Sequence, residues 1–169
     1  SPDASGPTLR AVWLDRIAMR AGERNKLFVD AQDDDAGIAF VHGVFVSPAK
    51  QARLGFGCKL GASGVWECPL TPPVCLDCGS WQLELIQLQD RANNSTTFRT
   101  DNAVIGPVHV EISGDRCDAL PPRITLVEID PPVVSSAVES IVTVRATVSD
   151  EGSCGAKSLS GQMIPPDAI

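Results

Sequence analysis

Short runs of alternating apolar and polar residues dominate the chain, and clusters of Gly, Pro, Asn and Asp separate them. A period of two marks a half-buried β-strand, because successive side chains point to opposite faces of a sheet. Residues 9–14 (LRAVWL) predict a first strand. Residues 26–32 predict a second, with Leu27, Val29 and Ala31 on one face. The turn run Asp33-Asp34-Asp35-Ala36-Gly37 breaks it. Residues 38–46 predict a third strand, stopped by Ser47-Pro48. Residues 52–60 and 65–70 predict a hairpin across a Gly/Ser turn, and residues 81–88, 95–99 and 107–112 supply the rest. Seven or so short strands with turns every 8–12 residues predict an all-β, two-sheet sandwich.

Residues 81–88 also predict a break in register. Trp81, Leu83 and Leu85 alternate, but then Ile86 and Leu88 carry the apolar positions. A slip of one residue would turn the rest of the face to solvent, so a β-bulge or a sheet crossing is expected between Leu85 and Ile86. The best helical run, RIAMRAGER, carries a Gly and lies between two strand signals.

Residues 113–122 (SGDRCDALPP) read as a linker, and beyond them the pattern restarts. ITLVEI, then SIVTVRATV, then the turn Ser149-Asp150-Glu151-Gly152, then LSGQMIPP repeat the order of the first unit. Gly161 follows Gly43, and Pro166 follows Pro48, by the same 118 positions. A near-constant spacing is the mark of a diverged internal repeat. The expected organisation is a flexible N-terminus at 1–8, a sandwich at 9–112, the linker, and an incomplete second sandwich at 123–169. Half a sandwich leaves a sheet face and edge unpaired, so the expectation is either a fragment of a longer chain or completion by a protein partner, a second copy of the chain, the first domain or a cleaved remainder.

Composition narrows the function. The 169 residues carry 14 Lys+Arg against 21 Asp+Glu, a net charge of −7, with no basic run for phosphate contacts. No apolar stretch reaches the length of a membrane helix. Hydrophobic residues make up 43%, enough for a folded core. The six cysteines (Cys58, Cys68, Cys75, Cys78, Cys117 and Cys154) point to three disulfides and an extracytoplasmic compartment. Cys58 and Cys68 face each other across the predicted hairpin. CLDC can close on itself as Cys75–Cys78, leaving Cys117 for Cys154. Zinc is the rival for CLDC, but no second ligand pair accompanies it, and His42 and His109 stand apart.

The first unit resembles the bacterial immunoglobulin-like modules that occur in tandem on secreted and surface proteins. The matching pieces are DDAGIAFVHGVFVSP, SGVWECPL and CGSWQLELIQLQDRANN, with Asn93 at the glycine of the usual D-x-A-G-N turn. The resemblance spans residues 9–112 and, more weakly, 123–166. It implies an immunoglobulin-like β-sandwich with a non-enzymatic role in adhesion or protein–protein contact at a bacterial surface. An accessory domain of a larger secreted hydrolase is the alternative.

Candidate chemistry is sparse. Ser47-Pro48-Ala49-Lys50 matches S-x-x-K, but that motif needs a helix start and here it ends a strand. The histidines have no nucleophile in a suitable motif, so no enzyme is expected. Calcium is the strongest chemical reading: Asp33, Asp34, Asp35, Asp90 and Asn93 are its candidate ligands, since the ion takes six to eight hard oxygens. Asp150-Glu151 repeats the acidic turn. Asn93-Asn94-Ser95-Thr96 holds two overlapping sequons, which matter only in a eukaryotic secretory route and are incidental in the bacterial setting that the resemblance implies. Of the tryptophans, Trp81 is expected in the core, and Trp66 is the candidate for an exposed, glycan-binding ring.

Overall fold

The computed structural model describes residues 4–135, 139, 141–152 and 154–163. All of the regular structure in this range is β. Contacts divide the chain into two units, Ser1–Ala119 and Leu120–Ile169.

The first unit holds ten strands: β1 (Thr8–Leu14), β2 (Ala18–Arg20), β3 (Asn25–Gln32), β4 (Ile38–Val46), β5 (Arg53–Gly57), β6 (Lys59–Leu60), β7 (Trp66–Leu70), β8 (Gly79–Asp90), β9 (Ser95–Arg99) and β10 (His109–Ser113). One sheet runs β1-β3-β7-β6. The other runs β2-β10-β8-β4-β5, with β9 also paired to β8. All pairs are antiparallel except β2 and β10. A single core takes side chains from both sheets, with Leu27, Val29 and Leu70 from the first and Phe45, Leu83 and Ile86 from the second. Burying each of these large apolar groups is worth about 1.5–3 kcal/mol.

The chain crosses between the sheets five times, and two of these changes bear on the sequence reading. The first change lies between β1 and β2, where buried Asn25 fixes the corner. Its Nδ2 donates to the Arg16 carbonyl at 2.8 Å, and its Oδ1 accepts from the Arg16 amide at 3.2 Å. The second change corrects the sequence expectation. Residues 52–60 are not one strand of a hairpin: β5 pairs with β4, β6 pairs with β7, and Cys58 sits at the switch. The Cys58–Cys68 bridge expected across the hairpin therefore closes β6 on β7. The run containing Ala18–Arg20 forms a short strand rather than any helix, with Met19 buried beneath it.

The expected slip in β8 is present one residue earlier. Val44 pairs with Leu85 and Phe45 with Leu83, so Glu84 is the extra residue of a bulge. Trp81, Leu83, Ile86 and Leu88 all stay inside as a result. The bulge also lies where β8 exchanges its neighbour from β10 to β9.

Two further disulfide expectations are overturned. Cys78 bonds Cys117, with a sequence separation of 39, so neither Cys75–Cys78 nor Cys117–Cys154 forms. Cys75 and Cys154 are disulfide-bonded as well, and no cysteine is free. The start of the expected linker is thereby tied to the first unit. Leu76 bridges Cys117, and the Asp118 amide donates to the Leu76 carbonyl at 2.8 Å.

The second unit holds β11 (Arg123–Asp130) and β12 (Thr143–Ser149), paired antiparallel. Their register reproduces that of β1 and β3. Leu9↔Ala31 and Ala11↔Asp30 flank a bulge in the first unit; Ile124↔Val148 and Leu126↔Thr147 flank one in the second. The shared register supports the internal repeat.

Candidate functional site

The acidic turns come together in space, but as turns closed on themselves. Asp33 follows β3, and its Oδ2 accepts from the Gly37 amide at 2.6 Å. Asp90 ends β8 and is 1% exposed; its two carboxylate oxygens accept from the amide and the side-chain nitrogen of Asn94, each at 2.8 Å. The Arg91 amide donates to the Gly37 carbonyl at 3.0 Å, which sets the two turns side by side. Asn93 takes the left-handed conformation at φ 71° that the resemblance assigns to glycine, and Asn tolerates it. Asp34 and Asp35 face solvent. The same device recurs in the second unit, where the Gly152 amide donates to Asp150 Oδ1 at 3.0 Å. Among the described residues, no group of three or more His, Cys, Asp or Glu side chains gathers as a metal site.

The aromatic residues divide differently from the expectation for Trp66. Trp66 alternates inward on β7 and is 8% exposed, so it is a core residue and offers no ring to a glycan. Trp81 is 2% exposed, and its Nε1 donates to the Asp77 carbonyl at 2.7 Å. Trp13 is the exposed tryptophan. It stacks on Phe28 across the β1–β3 pair, ring centroids 5.5 Å apart, and Lys26 Nζ sits 5.7 Å from the centre of the Phe28 ring. Lys26 also pairs with Glu67 at 2.7 Å. Phe28 carried no signal of its own in the sequence, because it occupies an ordinary outward position of an alternating strand.

The S-x-x-K residues and the histidines lie within the scaffold of the first unit. Ser47 is buried, its Oγ accepts from the Ala52 amide at 3.2 Å, and Lys50 lies in a turn at φ 58°, so S-x-x-K has no helix to act from. Arg53 forms a forked pair with Glu84 at 3.0 and 3.3 Å, and that carboxylate raises the guanidinium pKa further. His42 and His109 are both exposed and lie on different strands; His109 Nδ1 contacts the Pro107 carbonyl at 3.1 Å.

One surface departs from a well-covered protein. In the first unit, Leu27 and Val29 are fully buried; Val144, the counterpart of Leu27 in β12, is 52% exposed. Ile124, Val127 and Ile129 of β11 are each about half exposed on the same face. With Val144, Ala146 and residues 159–163 they line a groove of about 470 Å³. Exposed apolar surface contiguous over two strands and a crossing segment marks an interaction face far more often than isolated exposed residues do.

Comparison with known proteins yields no match to any family model, curated protein or solved structure.

Proposed function

We propose that this chain is a non-enzymatic, extracytoplasmic module of immunoglobulin-like type that acts through protein–protein contact at a bacterial surface. The two-sheet architecture of the first unit and the three disulfides carry this reading, and the apolar face of β11 and β12 is the surface on which to test it. The strand order of the first unit supports the immunoglobulin comparison. Lettering β1, β3, β4, β6, β7 and β8 as A, B, C, D, E and F places A, B, E and D in one sheet and C and F in the other. Departures from antibody domains are the place of the buried tryptophan, on β8 rather than β4, and the disulfides, none of which links β3 to β8. Three disulfides favour an oxidising compartment.

The test immobilises the oxidised chain beside a Val144→Asp variant and measures retention of intact bacterial cells and of their extracted surface proteins. Retention by the parent and loss in the variant, with the first unit still folded, is the expected result. Equal retention by both forms refutes contact through this face. Binding confined to glycans places the chain instead as an accessory domain of a larger secreted enzyme.

A further inference from the structure

A polar cleft of about 520 Å³ opens on the outer face of the sheet β2-β10-β8-β4-β5 in the first unit. That size lies within the range of small-ligand sites. Val46 of β4 pairs with Gln82 of β8, and these two form its floor with Glu84. Lys50 and Arg53 line one side, and Thr100 and Gly106, from the connection between β9 and β10, line the other. The bulge sets Glu84 where β8 passes from β10 to β9, and Arg53 reaches across β4 to grip its carboxylate at 3.0 and 3.3 Å. Gln82 Nε2 donates to the Gly106 and Val108 carbonyls, both at 2.9 Å. Both of its hydrogens are thereby committed, and Oε1 is left as a fixed acceptor. Lys50 holds φ 58°, a left-handed conformation that glycine takes freely and lysine does not. Its amide donates to the Ser47 carbonyl at 2.8 Å and closes the turn, a task that glycine would perform without strain. A lysine kept in a strained position at the mouth of a cleft points to a use for its ammonium group in binding.

We infer that this cleft binds a neutral, polyhydroxylated sugar. Lys50 and Arg53 are balanced by Glu84 and by Asp77, whose Oδ2 accepts from the Ala49 amide at 3.0 Å; two cations against two carboxylates leave no net charge to select an ion. An apolar ligand would strip water from the Arg53–Glu84 pair and from Gln82 Oε1 with nothing to replace it. Sugar hydroxyls both donate and accept, so neighbouring hydroxyls can take a bond from Arg53 and give one to Glu84. Pro48 and Val46 offer apolar surface to the C–H face of the ring. An extended peptide is disfavoured, because β4 and β8 have paired neighbours on both sides and their main chains offer no free edge. The inference goes beyond the proposed protein contact, whose test surface is in the second unit.

The test titrates the full, disulfide-intact, isotope-labelled chain with cellobiose, maltose and chitobiose, and follows the amide resonances. At least one of these sugars is expected to shift residues 46–53, 80–84 and 100–106. Digalacturonic acid and a capped triglycine serve as the charged and the peptide probe, and both are expected to bind more weakly. Lys50→Gly should melt at or above the parental temperature and yet weaken sugar binding about threefold to tenfold, since one hydrogen bond from a charged donor is lost. Glu84→Gln should weaken it to a similar degree while keeping the shape of the cleft. Trp13→Ala, on the other sheet, should leave the affinity unchanged. A folded chain whose cleft resonances stay still with all three sugars overturns the inference. So does parental affinity in both Lys50→Gly and Glu84→Gln, or tighter binding of digalacturonic acid or the triglycine. Loss of binding with Trp13→Ala alone moves the sugar to the Trp13–Phe28 stack and overturns it as well. Val144→Asp leaves the cleft as it is, so failure of the proposed contact and failure of this inference are read separately.

Discussion

Replacing Cys78 and Cys117 together by alanine removes a cross-link whose cost is set by chain statistics rather than packing. Cys117 is exposed and Cys78 only half-buried, so little apolar burial is lost with the sulfurs. The bond closes a loop with a separation of 39 residues that contains β8, β9 and β10. Loop-closure entropy for that length gives about 4 kcal/mol of stabilisation, acting through the unfolded chain. Domain stabilities are about 5–15 kcal/mol, so the loss is a large fraction of the total. Urea unfolding followed by tryptophan emission measures it, because Trp81 lies three residues from Cys78. The midpoint is expected to fall and the slope to rise, since the unfolded chain exposes more surface without the tie. A loss under about 1 kcal/mol refutes the argument. It would mean that the Leu76–Cys117 bridge and the strand pairing of β8 already hold the ends together in the unfolded ensemble.

Other expectations follow from single positions. Gly43→Ala places a methyl 2.5 Å from both the Leu85 carbonyl oxygen and the Phe56 ring, so thermal melts should show a loss of about 1–3 kcal/mol; an unchanged melting temperature would show that Phe56 moves aside freely. Trp66→Ala should cost about 3–5 kcal/mol in urea unfolding, and a folded variant of parental stability would return Trp66 to the surface. Glu23 has its pKa lowered from 4.5, first by the hydrogen bond from the Arg20 amide and then by the Arg16 charge. Its folded value lies below its unfolded one, so its contribution is present above pH 4.5 and fades as the pH falls through the lower folded value. Glu23→Gln should flatten that part of the acid-stability profile, and an unchanged profile would remove the interaction. Melts in calcium and in EDTA should coincide, because Asp33 and Asp90 already accept hydrogen bonds within their turns; a rise in calcium would show that Asp34 and Asp35 recruit the ion.

What could be read from the sequence was local. The boundaries of β4 and β9 were legible because turn residues flank clean alternation, and the bulge in β8 announced itself as two apolar neighbours out of phase. Cys58–Cys68 was legible because a short turn separates its ends. Cys78–Cys117 was not, since its ends meet only after three strands have paired. The split of β5 from β6 left no trace in the alternation, because β6 is only two residues long, both exposed, and only its partner sheet differs. β2 is three residues long and draws its partner β10 from across the first unit, beyond the reach of any local pattern. The face was legible in its apolar positions, while the groove itself needed residues 159–163 in place.

The parallel pairing of β2 with β10 gives the first unit a mechanical character. The Ala21 amide donates to the Ser113 carbonyl at 2.7 Å, and the Glu111 amide donates to the Ile17 carbonyl at 2.8 Å. Once β1 yields, a pull on the chain before β2 against the chain after β10 loads these bonds in shear, so they must break together rather than one at a time. When they do break, the Cys78–Cys117 bond withholds the 39-residue span from extension, about 130 Å of contour at roughly 3.4 Å per residue. The first unit would lengthen under load by a bounded step and keep β8, β9 and β10 within a closed covalent loop, ready to re-form when the tension falls.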